Sequence, residues 1–423
     1  MKLSITTLGC DKNTCDSEVL AGALRAQRYK LVARDEDADI IVVNTCAFIR
    51  SARDEAVRVI KSKLEKNANA KVVVTGCLTK YPKLIPAGVE VWPIGEVGIA
   101  SSGALHPPRN DVRKLLSTPP SYAYIKISDG CDNRCTYCTI PSIRGSYKPR
   151  AMAEIIDEVA HFAGLGVGEF ILVAQDLTKY TNTPSRSACH PSTQRGLPLA
   201  KGLITLIRKI SKIQGVRRIR LHYVYPSGIT DELVREIVCN KKICKYLDVP
   251  FQHISPRILQ LMNRKPCDCF ALVKRLQSLG ITIRSTFMVG FPTESEAEFN
   301  DLCDFLRVAC LDYVGFFKYS RERGTPSFSM EQVDAKTKTA RLRVLQNLQK
   351  GILAEKHQNL VGQIQKVTCD FYDSVLRYSV TRSEHQSPDV DPIIIVHKKI
   401  KVGEYVDVKI VGTLAENLIG EIV

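Results

Sequence analysis

"YAYIKISDGCDNRCTYCTIPSIRG", residues 122–145, runs a short apolar alternation straight into a loop that carries Cys131, Cys135 and Cys138. The first seven residues read as a β-strand. Three thiols then follow within eight residues, in the pattern CxxxCxxC. Thiols so close together suit a metal. A structural zinc site is usually closed by four ligands, and this loop has no fourth cysteine or histidine at a suitable spacing. A cubane 4Fe-4S cluster on three cysteines leaves one iron free to bind a small molecule, whereas an electron carrier normally has all four irons ligated by cysteine.

Downstream of the loop the strand pattern recurs. "FILVAQD", "RIRLHYV", "YLDVPF", "TIRSTFMVGF" and "YVGFFKYS" alternate with helical segments such as "AEIIDEVAHFAGLG" and "EAEFNDLCDFLRV". Six β units with helices between them predict a partial (β/α)6 barrel over residues 120–350, with chemistry at the loops after the strands. The cysteine loop follows the first strand and sits at that mouth. Gln175, Asp176, Gln252, His253 and Gly290 fall at the ends of later strands.

Upstream, residues 1–106 read βαβαβ: "KLSITTLGC", "DSEVLAGALRAQ", "DIIVVNTC", "SARDEAVRVIKSKLEK" and "KVVVTGC". Each strand closes on a cysteine, Cys10, Cys46 and Cys77. In a parallel sheet the carboxyl ends share one edge, so three residues distant in sequence converge there as a second three-cysteine site. Buried cysteine usually acts as a small apolar residue, but the same residue closing three successive strands points to ligation. Cys15 closes no strand and reads as structural. The proline-bearing stretch "HPPRNDVRKLLSTPPS" reads as a linker.

From residue 361 to 423 the pattern changes to "QKVTCDFYD", "YSVTRSEHQ", "PIIIVHKK" and "EYVDVKIVGT", short strands joined by polar turns, as in a small β-barrel. The predicted fold class is therefore α/β: an N-terminal parallel α/β domain, a central partial barrel and a C-terminal β-barrel. Residues 361–423 hold seven basic and nine acidic residues, while the whole chain carries +16. An RNA-reading barrel should be basic; one docking on a cationic protein can be neutral or acidic.

The length, 423 residues, suits two or three domains. Fifteen cysteines could suggest disulfides, but the count is odd and "MKLSITTLGC" lacks an apolar signal core. A reducing cytoplasm is expected. No stretch approaches the roughly 20 apolar residues of a membrane span.

The CxxxCxxC loop, Tyr137 before its last cysteine and the partial barrel together resemble the radical S-adenosylmethionine superfamily. With the strand-end cysteines added, nearly the whole chain resembles its methylthiotransferases. "LGCDKNTCDSE", "NTCAFI", "ISDGCDNRCTYCTIPSIRG", "LVAQDLTKY", "LDVPFQH", "TFMVGFPTESEAEF" and "FKYSRERGTP" are similar to the ribosomal-protein branch (RimO type). The transfer-RNA branch (MiaB type) shows "GQN" where Ala174, Gln175 and Asp176 stand, and "QSGS" where Gln252, His253, Ile254 and Ser255 stand. The last 63 residues resemble the TRAM domain.

The resemblance implies two 4Fe-4S clusters, on Cys131, Cys135 and Cys138 and on Cys10, Cys46 and Cys77. It implies S-adenosylmethionine used twice, as methyl donor and as source of a 5′-deoxyadenosyl radical. The implied substrate is an aspartate of small-subunit ribosomal protein S-twelve, methylthiolated at its β-carbon. An unactivated C–H bond needs a radical, and sulfur insertion needs a donor at an open iron. Electron and sulfur donors are implied partners; the enzyme is expected to be a monomer. Tyr137, Gln175, Arg284 and Gly290 are the expected cofactor contacts: Arg284 for the carboxylate, Gln175 for the amino group, Gly290 for the adenine. The alternatives are an internal salt bridge for Arg284, a turn for Gly290 and a hydrogen bond within the turn for Gln175 and Asp176. Docking and radical generation are expected on separate domains. A transfer-RNA substrate and a non-catalytic protein with structural metal are the other readings. The family has no counterpart of "TNTPSRSACHPSTQRGLP", whose Cys189 and His190 read as incidental to a surface loop, or of ligands at Cys267 and Cys269, a CxC without further partners.

Overall fold

The computed structural model describes residues 1–67, 69–93, 114–181 and 200–423. Residues 182–198 of the insertion, with Cys189 and His190, and residues 106–113, half of the predicted linker, lie outside the described residues. In the N-terminal unit, strands Lys2–Thr7, Ile40–Thr45 and Lys71–Gly76 form the middle of a parallel sheet. Two-residue strands, Lys30–Leu31 and Glu90–Val91, add its edges; neither is long enough to show a period in sequence. Ile40–Thr45 is buried at every position, as a central parallel strand covered on both faces must be. Helices Asp11–Ala26 and Arg50–Lys66 make the crossovers.

The central unit is one sheet of six parallel strands in sequence order: Tyr122–Lys126, Glu169–Val173, Arg218–Leu221, Ile243–Asp248, Thr282–Val289 and Tyr313–Lys318. Among the described residues its first and last strands do not pair, so the barrel is open. Side chains alternate across a strand. One set, including Ala123, Ile125, Phe170, Leu172, Ile219 and Leu221, packs with the covering helices. The other set faces the concave inside, where Tyr122, Tyr124, Ile171 and Val173 enclose Cys15 from the first helix. Cys15 is thus a core residue, 2% exposed.

Residues 361–423 form a closed barrel of five strands, Ile364–Asp373, Tyr378–Arg382, Ile394–Val396, Tyr405–Leu414 and Asn417–Ile422. Four of these match predicted runs. The last, "NLIGEI", closes the barrel by pairing with both Ile394–Val396 and Tyr405–Leu414. The predicted strand "YSVTRSEHQ" stops at Arg382, and the residues after it enter the concave face of the central sheet. Asp391 accepts from Tyr246 Oη at 2.8 Å and pairs with Arg284. Asp389 accepts from Tyr122 and Tyr124 at 3.0 and 2.9 Å.

Arg382 and Glu169 make two hydrogen bonds of 2.8 and 2.7 Å. Arg220 joins Glu169 at 2.9 Å and Asp370 joins Arg382 at 2.7 Å. Buried charges persist only when paired, and this group pins the barrel to the sheet. The finding revises the charge argument. Asp370, Glu384, Asp389 and Asp391, four of the nine acidic residues, bind the chain's own central unit, so the net charge of residues 361–423 does not describe an exposed docking face. No helix among the described residues is long and apolar enough to cross a membrane.

Candidate functional site

The CxxxCxxC loop leaves the first central strand and is held from three sides. Thr136 donates its N–H to Met262 O at 3.1 Å and its hydroxyl to Leu261 O at 2.7 Å. Asn263 donates to Arg134 O at 2.9 Å, and Asn133 donates to Asp176 at 2.8 Å. Arg264 places Nη1 3.8 Å from Cys135 Sγ. Burial pushes the Cys131 thiol up and Cys138 up to about 12, and the neighbouring thiols add to both. Such thiols give up their protons to a metal rather than to water. Tyr137 meets Phe291 edge to face, with centroids 6.4 Å apart, which joins the loop to the "GFP" turn.

The other three cysteines converge at one edge of the N-terminal sheet, as parallel topology requires. Cys46 follows its strand directly, Cys77 opens a 3-10 turn, and Cys10 caps the first helix. Gly9, at φ +100°, makes this possible. A Cβ there would lie 2.7 Å from Cys46 Cβ and 3.2 Å from its Sγ, so only glycine lets the two cysteine-bearing turns approach. Asn13 ties the turns together, donating to Leu8 O at 2.6 Å and Thr45 O at 3.1 Å. Burial raises Cys46 and lifts Cys77 to about 11, with Arg144 opposing both shifts.

Arg144, six residues after Cys138, links the two sets. Its side chain is 2% exposed and reaches Asp16 at 2.9 Å, Asp129 at 3.2 Å and Asn13 Oδ1 at 2.6 Å. Thr139, next to Cys138, donates to Phe48 O at 2.8 Å, two residues past Cys46. On the far side Glu322 holds Arg53 at 2.6 Å and the Arg50 N–H at 2.7 Å. These contacts tie the segment after the CxxxCxxC loop to the turns that carry Cys10 and Cys46. The sequence contains Arg144, Asn13 and Arg264, but no periodicity or spacing marks them, because partners such as Asn13 for Arg144, Thr45 for Asn13 and Cys135 for Arg264 are distant in sequence.

Three thiols with no fourth protein ligand have the donor chemistry of an iron–sulfur cluster with an open iron. Among the described residues no three His, Cys, Asp or Glu side chains gather as a site for a metal ion. Gln175 Oε1 and Gln252 Oε1 are buried without a partner, beyond the carboxyl ends of the second and fourth central strands, where a polar cofactor would satisfy them. Gln175 Nε2 reaches Asp129, next to the loop, at 3.3 Å. Gln252 holds φ +72°, a strained conformation for a side chain of its kind.

Two expected contacts are otherwise engaged. Arg284 points to the concave side, as alternation predicts, but it is the third residue of its strand and lies at the depth filled by the C-terminal loop. Its guanidinium pairs with Asp391 and donates to Val390 O at 3.0 Å, so the internal salt bridge, not a cofactor carboxylate, accounts for it. Gly290 donates its N–H to Glu294 at 2.7 Å, and a Cβ on it would strike Lys338 Cγ at 2.3 Å. Its glycine is explained by the turn and by that packing. A cavity of about 490 Å³ between the last central strand, the long helix Ala335–Leu360 and the C-terminal barrel is lined by Arg284, Tyr313, Lys350 and Glu416 and contains no cysteine.

Comparison with known proteins agrees with this architecture. Residues 2–85 match the uncharacterized protein family UPF0004, residues 125–306 the radical SAM superfamily and residues 361–423 the TRAM domain. A solved radical S-adenosylmethionine methyltransferase, TsrM from Kitasatospora setae with cobalamin and a 4Fe-4S cluster bound, superposes with TM-score 0.54, covering 88% of this chain and 81% of that one. At 14% identity this shows the fold alone. Fold and domain content define a radical SAM protein with a TRAM domain; its full-length relatives make it a methylthiotransferase. The ribosomal protein uS12 methylthiotransferases RimO of Caldicellulosiruptor saccharolyticus and Acetivibrio thermocellus are each 37% identical to the chain, over 100% of it and 100% and 98% of their own lengths. That of Clostridium perfringens is 35% identical over 99% and 97%. The chain belongs to the RimO family.

Proposed function

We propose that this enzyme methylthiolates ribosomal protein uS12, at the β-carbon of an aspartate, and that it holds two 4Fe-4S clusters, one on each three-cysteine set. The carrying observation is the clamp between the segment that follows the CxxxCxxC loop and the N-terminal cysteine turns, made by Arg144 to Asp16 and Asn13 and by Thr139 to Phe48. Names shared by full-length relatives favour uS12 over transfer RNA. A purely structural metal protein would have no need of the unpartnered acceptors at Gln175 and Gln252.

Cys131, Cys135 and Cys138 would hold a cluster that, with S-adenosylmethionine bound, would supply a carbon-centred radical able to take hydrogen from an unactivated carbon. The remaining work falls to the chain. Gln175 offers an acceptor for the cofactor's ammonium. Arg264 sets a fixed positive charge beside the Cys135 sulfur, and Arg144 sets one beside Cys77 and Cys10. The first helix and residues 383–391 pack against the concave face, with Cys15, Ser383, Gln386 and Ser387 buried. An external electron donor, a sulfur donor and a monomeric enzyme complete the reading, with 1–106, 120–350 and 361–423 as its three domains.

The test is anaerobic reconstitution with iron and sulfide, followed by mass spectrometry of uS12 and of transfer RNA. One S–CH3 replacing one H on an aspartate of uS12, with about eight irons per chain, is expected. Methylthioadenosine in transfer RNA with uS12 unchanged would reassign the substrate. Zinc in place of iron would reassign both cysteine sets.

A further inference from the structure

Cys267 and Cys269 belong to neither three-cysteine set. In the folded chain their Sγ atoms lie 3.3 Å apart. Cys269 begins the helix Cys269–Ser278, fixed by Asp268 accepting from the Ala271 N–H at 2.9 Å, and is buried; Cys267, on the loop before it, is half-buried. An S–S bond is about 2.05 Å long, so bond formation asks for little more than an ångström of movement, available to the more exposed Cys267. The hydrogen bond from Cys269 draws the Cys267 thiol below its ordinary value, which favours Cys267 as the attacking group.

The pair adjoins the seat of the CxxxCxxC loop. Leu261 O and Met262 O receive Thr136, and Asn263 donates to Arg134 O. Arg264 reaches Cys135 Sγ, and its other terminal nitrogen donates to Pro250 O at 2.6 Å. Lys265 and Pro266 alone separate Arg264 from Cys267, so a change in the pair is passed to this support over a very short span of chain.

We propose that Cys267 and Cys269 are a reversible dithiol–disulfide pair, oxidised by exchange with a low-molecular-weight disulfide, and that closing it loosens the support of the CxxxCxxC loop. The Cys267 thiolate attacks one sulfur of the small disulfide, forming a mixed disulfide and expelling a small thiolate. Cys269 then gives up its proton and attacks the Cys267 sulfur, expelling the second. The protein loses two hydrogens and two electrons remain shared in the new S–S bond, while the small disulfide is reduced to two thiols. The disulfide stands independently of the functional reading; the loosening rests on that reading, because it requires a cluster on Cys131, Cys135 and Cys138.

The full-length reconstituted enzyme is equilibrated anaerobically with glutathione disulfide, alkylated and digested. The peptide carrying both cysteines should be two hydrogens lighter, unalkylated, restored by dithiothreitol, and unable to form this bond in Cys267→Ser or Cys269→Ser. A wild-type peptide that stays fully alkylated, or stops at a glutathione adduct, overturns the pair. Iron release to a chelator is then followed. About half the iron of oxidised wild type should leave severalfold faster than from reduced enzyme, with no such change in Cys267→Ser treated identically. Equal rates in oxidised and reduced wild type overturn the loosening. Undiminished iron in Cys131→Ala would instead mark a failure of the cluster assignment.

Discussion

Single residues divide into the proposed ligands and those that hold them in place. Changing Cys131, Cys135 or Cys138 to Ala should leave about half the iron and abolish 5′-deoxyadenosine formation, because one thiolate in three is lost from that site alone. Changing Cys10, Cys46 and Cys77 together should keep cleavage of S-adenosylmethionine and stop methylthio transfer. Iron analysis and chromatography of the cleavage products check both. Arg144→Met removes a fixed charge beside Cys77 without touching the CxxxCxxC loop's own thiols. Methylthio transfer should fall roughly tenfold or more while cleavage stays within about threefold, measured on a uS12 peptide. Arg284→Met should instead act on stability. Cofactor cleavage should persist in the folded fraction, while the uncompensated Asp391 costs on the order of 3 kcal/mol in denaturant unfolding.

Between elements, the Glu169 cluster is the fastening with the clearest pH signature. Burial alone would raise this carboxyl, but Arg382, then Arg220 and Arg218, outweigh it and hold it at about 2 against an ordinary 4.5. A carboxylate depressed on folding stabilises the protein above its unfolded value. That contribution is lost as the pH falls from about 4.5 toward 2, and it is of order 3 kcal/mol. Urea unfolding followed from pH 6 to pH 3 should therefore weaken steeply below about 4.5. Glu169→Gln should flatten that slope and lower stability at neutral pH by about 3 to 5 kcal/mol, since three arginines lose their counter-charge.

At the scale of the whole molecule, the three units share one interior rather than standing side by side. His222, at the end of a central strand, faces Asp11 of the first helix at 3.2 Å and Ser387 of the C-terminal unit at 2.8 Å. This junction binds the C-terminal unit, expected to serve docking, to the unit expected to generate the radical. Deleting residues 361–423 would bare Tyr122, Tyr124, Tyr246 and the Glu169 cluster. The truncated chain should therefore lose cofactor cleavage along with uS12 recognition and show exposed apolar surface by dye binding. A soluble truncation with full cleavage activity would contradict the shared interior.

The sequence by itself determined the α/β order, the six central strands, the β-barrel and both three-cysteine sets. These features rest on period, spacing and the shared edge of parallel strands, all of which are local or follow from topology. The two-residue edge strands were not legible because they are too short to carry a period, and "NLIGEI" because its role is to close a ladder made by distant strands. Tertiary structure alone decided that Arg284 pairs with Asp391 and that Arg144 meets Asp16. It also placed residues 383–391 inside the central sheet and brought the sulfurs of Cys267 and Cys269 together. Alternation gives the face a side chain points to, but not its depth in the barrel or the partner waiting there, and a buried charge is explained only when its counter-charge is found.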